Sequence, residues 1–139
     1  MAVAPQINEF LGVEEEETST QMLTRLRDGL PFQAIENIRQ ALELSLDELA
    51  EALAISARTL SRRKKSDMLA PAESDRVYRI ARVFAHAVDV FGDREKAAQW
   101  FKTANPTLDD MAPLAVFDTD LGTQLVDDVL TRIEFGVYS

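Results

Sequence analysis

A run of hydroxyl and cationic side chains between residues 56 and 65 has the clearest binding chemistry in this chain. Its members are Ser56, Arg58, Thr59, Arg62, Arg63, Lys64 and Lys65. A guanidinium group can donate two parallel hydrogen bonds to guanine O6 and N7 or to two phosphate oxygens, whereas a lysine ammonium binds phosphate as a point charge. Serine and threonine hydroxyls can bond to bases or to phosphates. These seven residues therefore predict a DNA-binding surface.

Two short helices around a tight corner would position this run. The first helix has an apolar side at helical spacing, formed by Leu46, Leu49, Ala50 and Leu53. Ile55 closes the corner, Ser56 suits the N-cap of the second helix, and Leu60 returns to the core. This pattern is typical of a helix-turn-helix, whose second helix lies in the major groove of DNA. The Ser56 hydroxyl is as well suited to capping that helix as to contacting DNA.

Composition restricts the remaining functions. The chain has 139 residues, no cysteine and one histidine, which excludes disulfides and thiolate metal sites and argues against zinc. It contains no stretch of about 18 consecutive apolar residues and no leader pattern at its N-terminus, so we expect a cytoplasmic protein without a membrane partner. No nucleophile–base pair, glycine-rich phosphate loop or metal-ligand spacing is present. We therefore expect no enzyme, no catalytic residue, no metal and no cofactor.

The net charge of −9 is unevenly distributed along the chain. Five of the fifteen lysines and arginines lie within residues 58–65, whereas residues 103–139 carry seven carboxylates against Arg132 alone. A basic centre between acidic ends fits a protein with two different partners, one of which is DNA. Acidic ends that serve only solubility are the alternative.

Apolar residues recur at helical intervals through most of the chain, which predicts an all-α protein. Residues 1–17 contain Pro5, Gly12 and four consecutive glutamates and predict a flexible N-terminal segment. Residues 18–70 form the expected helix-turn-helix DNA-binding region. Residues 71–139 form a second helical region, which begins with the longest helical pattern.

Two apolar stripes dominate that second region. The long helix opened by Pro71 carries Val77, Ile80, Ala81, Phe84, Ala87, Val88 and Phe91. This stripe suits either the protein's own core or a seam between two copies. The last helix, capped by Asp118 or Thr119, carries Leu121, Leu125, Val126, Val129, Leu130 and Ile133. Gly136 is expected to end it.

The C-terminal residues around Gly136 combine apolar and aromatic groups with a terminal carboxylate. Phe135, Val137 and Tyr138 could plug a concave site on another protein. Phe135 and Val137 could equally fold back onto their own core. Arg132 could pair with a partner's acidic group or with Asp128 one turn earlier.

Taken together, these features resemble the Xre/MbcA/ParS family of antitoxins, which join a helix-turn-helix region to a C-terminal toxin-binding domain. The resemblance is carried by Trp100-Phe101, Asn105-Pro106, Pro113-Leu114, Gly122 and the ending from Leu130 through Arg132-Ile133 to Gly136. It covers roughly residues 18–139. One departure is visible, because the family often has a glycine pair shortly after Asn-Pro and this chain has Asp109-Asp110.

The resemblance implies a lambda-repressor-like helix-turn-helix core followed by a small helical toxin-binding domain. It implies a type II antitoxin that blocks the active site of a RES-domain, NAD-consuming toxin and represses its own operon. The expected toxin-binding residues are Arg132, Phe135, Gly136, Val137, Tyr138 and Ser139. We expect a homodimer on operator DNA with an inverted repeat. The alternatives are a stand-alone transcriptional regulator with a dimerising C-terminal domain and an adaptor whose cations only solvate a surface.

Overall fold

The computed structural model describes residues 5–13 and 18–136, and in these ranges the backbone forms eight α-helices. They are α1 (Pro5–Phe10), α2 (Ser19–Asp28), α3 (Gln33–Leu42), α4 (Leu46–Leu53), α5 (Ala57–Ser66), α6 (Pro71–Phe91), α7 (Arg94–Phe101) and α8 (Asp120–Glu134). Two 3₁₀ turns, Pro106–Leu108 and Pro113–Val116, lie between α7 and α8. The described backbone contains no sheet, and only isolated bridges join Pro31 to Met68 and Asn105 to Met111. The prediction of an all-α fold is confirmed.

Helix α6 is the centre of the fold. It packs against α1, α2, α3, α4, α7 and α8. Val77, Ile80, Phe84 and Ala87 on its apolar side are buried within the monomer. The stripe on α6 therefore belongs to the protein's own core, and the alternative of a seam between two copies is wrong for this face. In the part of the chain that the structure describes, no helix has the length and apolar character needed to cross a membrane.

A series of four aromatic rings runs through this core. Phe84 on α6 lies 5.3 Å from Phe10 and 5.5 Å from Phe101, measured between ring centroids. Phe101 on α7 in turn stacks on Phe117 at 5.4 Å. Ring pairs at these distances contribute dispersion and quadrupole energy beyond simple burial. The N-terminal helix and the C-terminal half of the chain therefore share one hydrophobic core.

The prediction of a flexible N-terminal segment is wrong for residues 5–13. Ile7, Phe10 and Leu11 share one side of a helical turn and are buried, with α1 packed against α3 and α6. Arg94 adds a polar contact, because its guanidinium donates to Glu9 at 2.7 Å and also lies 5.1 Å above the Phe10 ring. Residues 1–4 and 14–17 lie outside the described residues.

Helix α8 buries less of its predicted stripe than its spacing suggests. Thr119 caps the helix by accepting a hydrogen bond from the Gly122 N–H at 3.0 Å. Val126, Val129 and Leu130 are buried, but the side chains of Leu121 and Leu125 remain 66% and 45% exposed. The reason is that α8 packs through only one side, against α6 and the two 3₁₀ turns. The two leucines lie on the opposite side.

Candidate DNA-binding and protein-binding surfaces

The corner between α4 and α5 is set by local capping. At the start of α4, the Ser45 Oγ accepts from the Glu48 N–H at 3.1 Å, and Glu48 Oε1 accepts from the Ser45 N–H at 2.9 Å. These hydrogen bonds hold the pKa of Glu48 below its ordinary value. Ala54 then turns the chain through the left-handed region with φ of 54°. The order of helix, short turn and helix is that of a helix-turn-helix.

Helix α6 supports this corner from below. The guanidinium of Arg76 donates to the carbonyl of Ala54 at 3.1 Å and to that of Leu53 at 3.5 Å. These carbonyls are at the C-terminal end of α4, where helical acceptors lack backbone partners. Arg76 therefore anchors the turn that orients α5.

The outer face of α5 presents four exposed cations, Arg58, Arg62, Lys64 and Lys65. Arg58, Arg62 and Lys65 are four and three residues apart and so share one side of the helix. Ser61 is also exposed on this side. It was not predicted, although its position three residues after Arg58 was a usable signal. This surface can bind phosphate and base edges with several donors at once.

At the start of α5, Ser56 and Thr59 form hydrogen bonds with each other. The Ser56 Oγ accepts from the Thr59 N–H at 3.1 Å and lies 2.9 Å from the Thr59 Oγ1. The capping role of Ser56 is thus present in the structure. Both residues shape the beginning of α5, the end that a helix-turn-helix turns toward base edges.

Arg63 differs from the other predicted DNA contacts. Its Nε lies 2.8 Å from Glu73 Oε1, and its Nη2 lies 3.2 Å from Glu73 Oε2, so the two groups form a bidentate pair between α5 and α6. Glu73 is only 8% exposed and also accepts from the Ala70 N–H at 2.8 Å. Burial alone would raise the pKa of Glu73. The hydrogen bonds from Arg63 and Ala70 and the nearby positive charges outweigh burial, so the pKa of Glu73 is below its ordinary value. The Arg63 guanidinium therefore fixes α5 to the core, and this predicted DNA contact is already engaged by a carboxylate.

At the C-terminal end, Arg132, Phe135 and Gly136 are exposed. Phe135 is 72% exposed, so the alternative that it folds back onto its own core is wrong. Gly136 has φ of 69°, the left-handed conformation that ends many helices. Among the ion pairs of the described residues, none joins Arg132 to Asp128. Val137, Tyr138 and Ser139 lie outside the described residues.

A histidine–carboxylate cluster joins α6 to α8 and was not predicted. The Nδ1 of His86 lies 2.7 Å from Asp127 Oδ1, and its Nε2 lies 3.3 Å from Glu134 Oε1. Partial burial lowers the pKa of His86, but the two carboxylates outweigh it and raise the pKa above its ordinary value. No signal in the sequence identified these partners, because they follow His86 by 41 and 48 residues. Within the described ranges, no group of His, Asp and Glu side chains is arranged to hold a metal ion.

The loop before α8 is organised by the buried residue Asn105. Its Oδ1 accepts from the Thr107 N–H at 2.9 Å, and its carbonyl accepts from Leu108 and Asp110. Asp109 and Asp110 then adopt φ of 53° and 64°, in the left-handed region. Glycine reaches this region without strain. The backbone at these two positions therefore favours glycine, the residue that the resemblance led us to expect shortly after Asn105-Pro106.

Both halves of the chain match known family models. Residues 21–82 match the antitoxin Xre-like helix-turn-helix domain. Residues 86–136 match the antitoxin Xre/MbcA/ParS C-terminal toxin-binding domain. The two matches meet within α6, so one continuous helix joins the two domains.

Curated relatives and one solved structure agree with these matches. The chain is 33% identical to Antitoxin Xre of Yersinia enterocolitica, over 86% of this chain and 82% of the relative. It is 34% identical to Antitoxin Xre of Photorhabdus laumondii, over 82% of this chain and 78% of the relative. The fold is similar to a chain in the crystal structure of the M. tuberculosis MbcT–MbcA toxin–antitoxin complex. That match has a TM-score of 0.57 and 21% identity, and it covers 76% of this chain and 94% of the other.

Proposed function

Because this chain belongs to the Xre family of antitoxins, we propose that it inhibits a RES-domain toxin by direct binding and represses its own operon through DNA. The toxin-binding domain supports the first activity, and the exposed cations of α5 support the second. The presence of a toxin-binding domain also favours an antitoxin over a stand-alone regulator. Operator binding would place the protein in the cytoplasm.

The observation that carries the inhibitory half is the exposed end of α8. The match to the toxin-binding domain ends at residue 136, one residue after the exposed ring of Phe135. A large exposed aromatic group at the end of a helix is suited to filling a concave site. In this proposal Arg132, Phe135, Gly136, Val137, Tyr138 and Ser139 enter the toxin's active site and keep NAD out.

Co-purification with the cognate RES toxin and an NAD-consumption assay test this half. The informative variant lacks residues 135–139 and keeps Glu134, so the contact from Glu134 to His86 stays available. We expect this variant to bind the toxin more weakly and to leave NAD consumption active, with an unchanged thermal unfolding midpoint. Full inhibition by the truncated protein would contradict active-site entry by the tail.

The DNA-binding half of the proposal rests on the four exposed cations of α5, which is the second helix of the helix-turn-helix. The net charge of −9 repels a duplex, so a single copy should bind weakly. A homodimer presenting two copies of α5 about 34 Å apart would bind an inverted repeat. The test is fluorescence anisotropy with DNA from upstream of the protein's own gene, comparing the native chain with Arg58→Ala/Arg62→Ala. Equal affinity of the two proteins, or equal affinity for a scrambled duplex, would contradict operator binding.

A further inference from the structure

The exposed large apolar side chains are concentrated in one half of the molecule. Across residues 7–13 and 18–136 there are six of them, and four lie within residues 86–136. Met111 belongs to the loop before α8, while Leu121, Leu125 and Phe135 belong to α8 and its C-cap. Exposed apolar groups gathered in this way mark a contact surface more often than scattered ones do.

Leu121, Leu125, Asp128, Arg132 and Phe135 form one line along α8, here called the α8 stripe. Their spacings of four, three, four and three residues keep them within an arc of about 80° on the helix. All five are exposed. The stripe is about 21 Å long at the helical rise per residue. The opposite side of α8 is buried through Val126, Val129 and Leu130.

We infer that the α8 stripe is the main body of the toxin-contacting surface and that the terminal residues are its extension. This rests on the proposed function, namely that the toxin binds this domain. The stripe is continuous with Phe135, and α8 lies entirely within the matched toxin-binding domain. An amphipathic helix of this kind lies with its apolar line in a groove of the partner. Met111 is a further exposed apolar group of the same domain.

The charges of α8 define the chemistry of the groove that fits it. Asp127 and Glu134 are engaged by His86 on one side of the helix. Asp120 and Asp128 remain exposed beside or within the stripe, and Arg132 is the single cation in the sequence of α8. The complementary toxin surface has apolar contacts for Leu121, Leu125 and Phe135, a cationic group opposite Asp128 and an acidic group opposite Arg132.

The same charges argue against a second copy of this chain as the occupant. Asp128 lies at the middle of the stripe. Two copies of α8 crossing antiparallel about that midpoint would place one Asp128 opposite the other. Like charges facing each other across an interface are destabilising. A toxin groove with cationic groups at this position has no such penalty.

Calorimetry with the cognate RES toxin tests the inference. The test variant is Leu121→Gln/Leu125→Gln, because glutamine removes apolar surface while retaining good helix propensity. The matched control is Leu23→Gln on α2, since Leu23 is 45% exposed, as is Leu125. We expect the double variant to bind the toxin about 30-fold more weakly. The control should bind as tightly as the native chain, and all three proteins should have the same far-ultraviolet circular dichroism.

The outcomes separate this inference from the proposed function. If the native chain does not bind the toxin, both are overturned. If the native chain binds and the double variant binds equally tightly, only the stripe is overturned and the tail alone suffices. Sedimentation of the free protein adds a third outcome. If the double substitution dissociates a dimer and leaves toxin affinity unchanged, the stripe is a self-association surface and the inference is wrong.

Discussion

The imidazole Nδ1 of His86 lies 2.7 Å from Oδ1 of Asp127, and this contact joins the C-terminal half of α6 to α8. The other ring nitrogen faces Glu134 at 3.3 Å. A neutral imidazole has only one N–H, so it can donate to only one of these carboxylates. The protonated ring donates to both. Protonation of His86 therefore strengthens the attachment of α8 to the core.

Stability should depend on pH through this contact. The pKa of His86 is raised by folding, so its contribution is complete below about pH 6.5, the unfolded value, and is lost as the pH rises through the folded pKa. We expect the native chain to unfold roughly 3 °C above His86→Gln at pH 5.5 and at nearly the same temperature at pH 8.5. Thermal unfolding followed by circular dichroism measures this.

The titration itself can be read directly because the chain contains a single histidine. The chemical shifts of its ring protons should report a pKa above the ordinary value of histidine in the native chain. In Asp127→Asn/Glu134→Gln the pKa should fall, since burial then acts without the two carboxylates. An unshifted pKa in the native chain would contradict the cluster.

Arg58 and Arg63 should respond differently to substitution, although both lie on α5. Arg58 is exposed, whereas Arg63 is paired with Glu73. We expect Arg58→Ala to weaken DNA binding about tenfold without changing the unfolding temperature. Arg63→Ala should lower the unfolding temperature, because it leaves the Glu73 carboxylate buried without its partner. Glu73→Gln should do the same while leaving the DNA-facing cations in place.

The salt dependence of DNA binding counts the cations that reach phosphate. Contacts from Arg58, Arg62, Lys64 and Lys65 give a slope of log affinity against log salt of about −3.6 per monomer. A fifth contact from Arg63 would steepen it to about −4.5. Anisotropy titrations between 50 and 200 mM salt, the range over which such contacts act, distinguish the two values. A slope near zero would contradict DNA binding through phosphate contacts.

Local signals predicted the helix-turn-helix. The apolar side of α4 and the Ser56 cap of α5 were read from residues a few positions apart. The Ser45 cap with Glu48 three residues later is a further local signal that the prediction did not use. Helix α1 also had a usable signal, since Ile7, Phe10 and Leu11 are spaced like one side of a helix. The glutamates that follow it and Pro5 favoured a flexible segment instead.

Contacts between elements that are distant in the chain could not be predicted from the sequence. The partners of His86 and the pairing of Arg63 with Glu73 depend on how α6 packs, and periodicity carries no information about that. The stripe of α8 shows the same limit. Its spacing indicates which residues share a side, but whether Leu121 is buried depends on whether a neighbour covers it. The second 3₁₀ turn, which contains Val116, lies against the Gly122 side of α8.

Asp109 and Asp110 should be replaceable by glycine with a gain in stability. Both have positive φ, which costs an L residue about 1–2 kcal/mol, although aspartate tolerates it better than most. The greater freedom of glycine in the unfolded chain offsets part of this gain. We expect each substitution to stabilise by about 0.5 kcal/mol in urea unfolding. Asp118→Gly is the control, since its φ is not positive, and it should destabilise.

Gly122→Ala should destabilise the protein, in contrast to the usual effect of this change inside a helix. An exposed helical glycine replaced by alanine gains about 1 kcal/mol from helix propensity. At Gly122, however, a Cβ would lie 1.8 Å from the Val116 carbonyl oxygen and 2.9 Å from its Cβ, and the first is a backbone atom that cannot move alone. Overpacking of this kind costs roughly 1–3 kcal/mol. Because α8 would have to shift away from the second 3₁₀ turn, we expect a net loss of up to about 2 kcal/mol in urea unfolding together with weaker toxin binding. Gln124→Ala, two residues further on the exposed side of α8, should leave both quantities nearly unchanged. A stabilised Gly122→Ala would show that α8 does not pack closely against the second 3₁₀ turn.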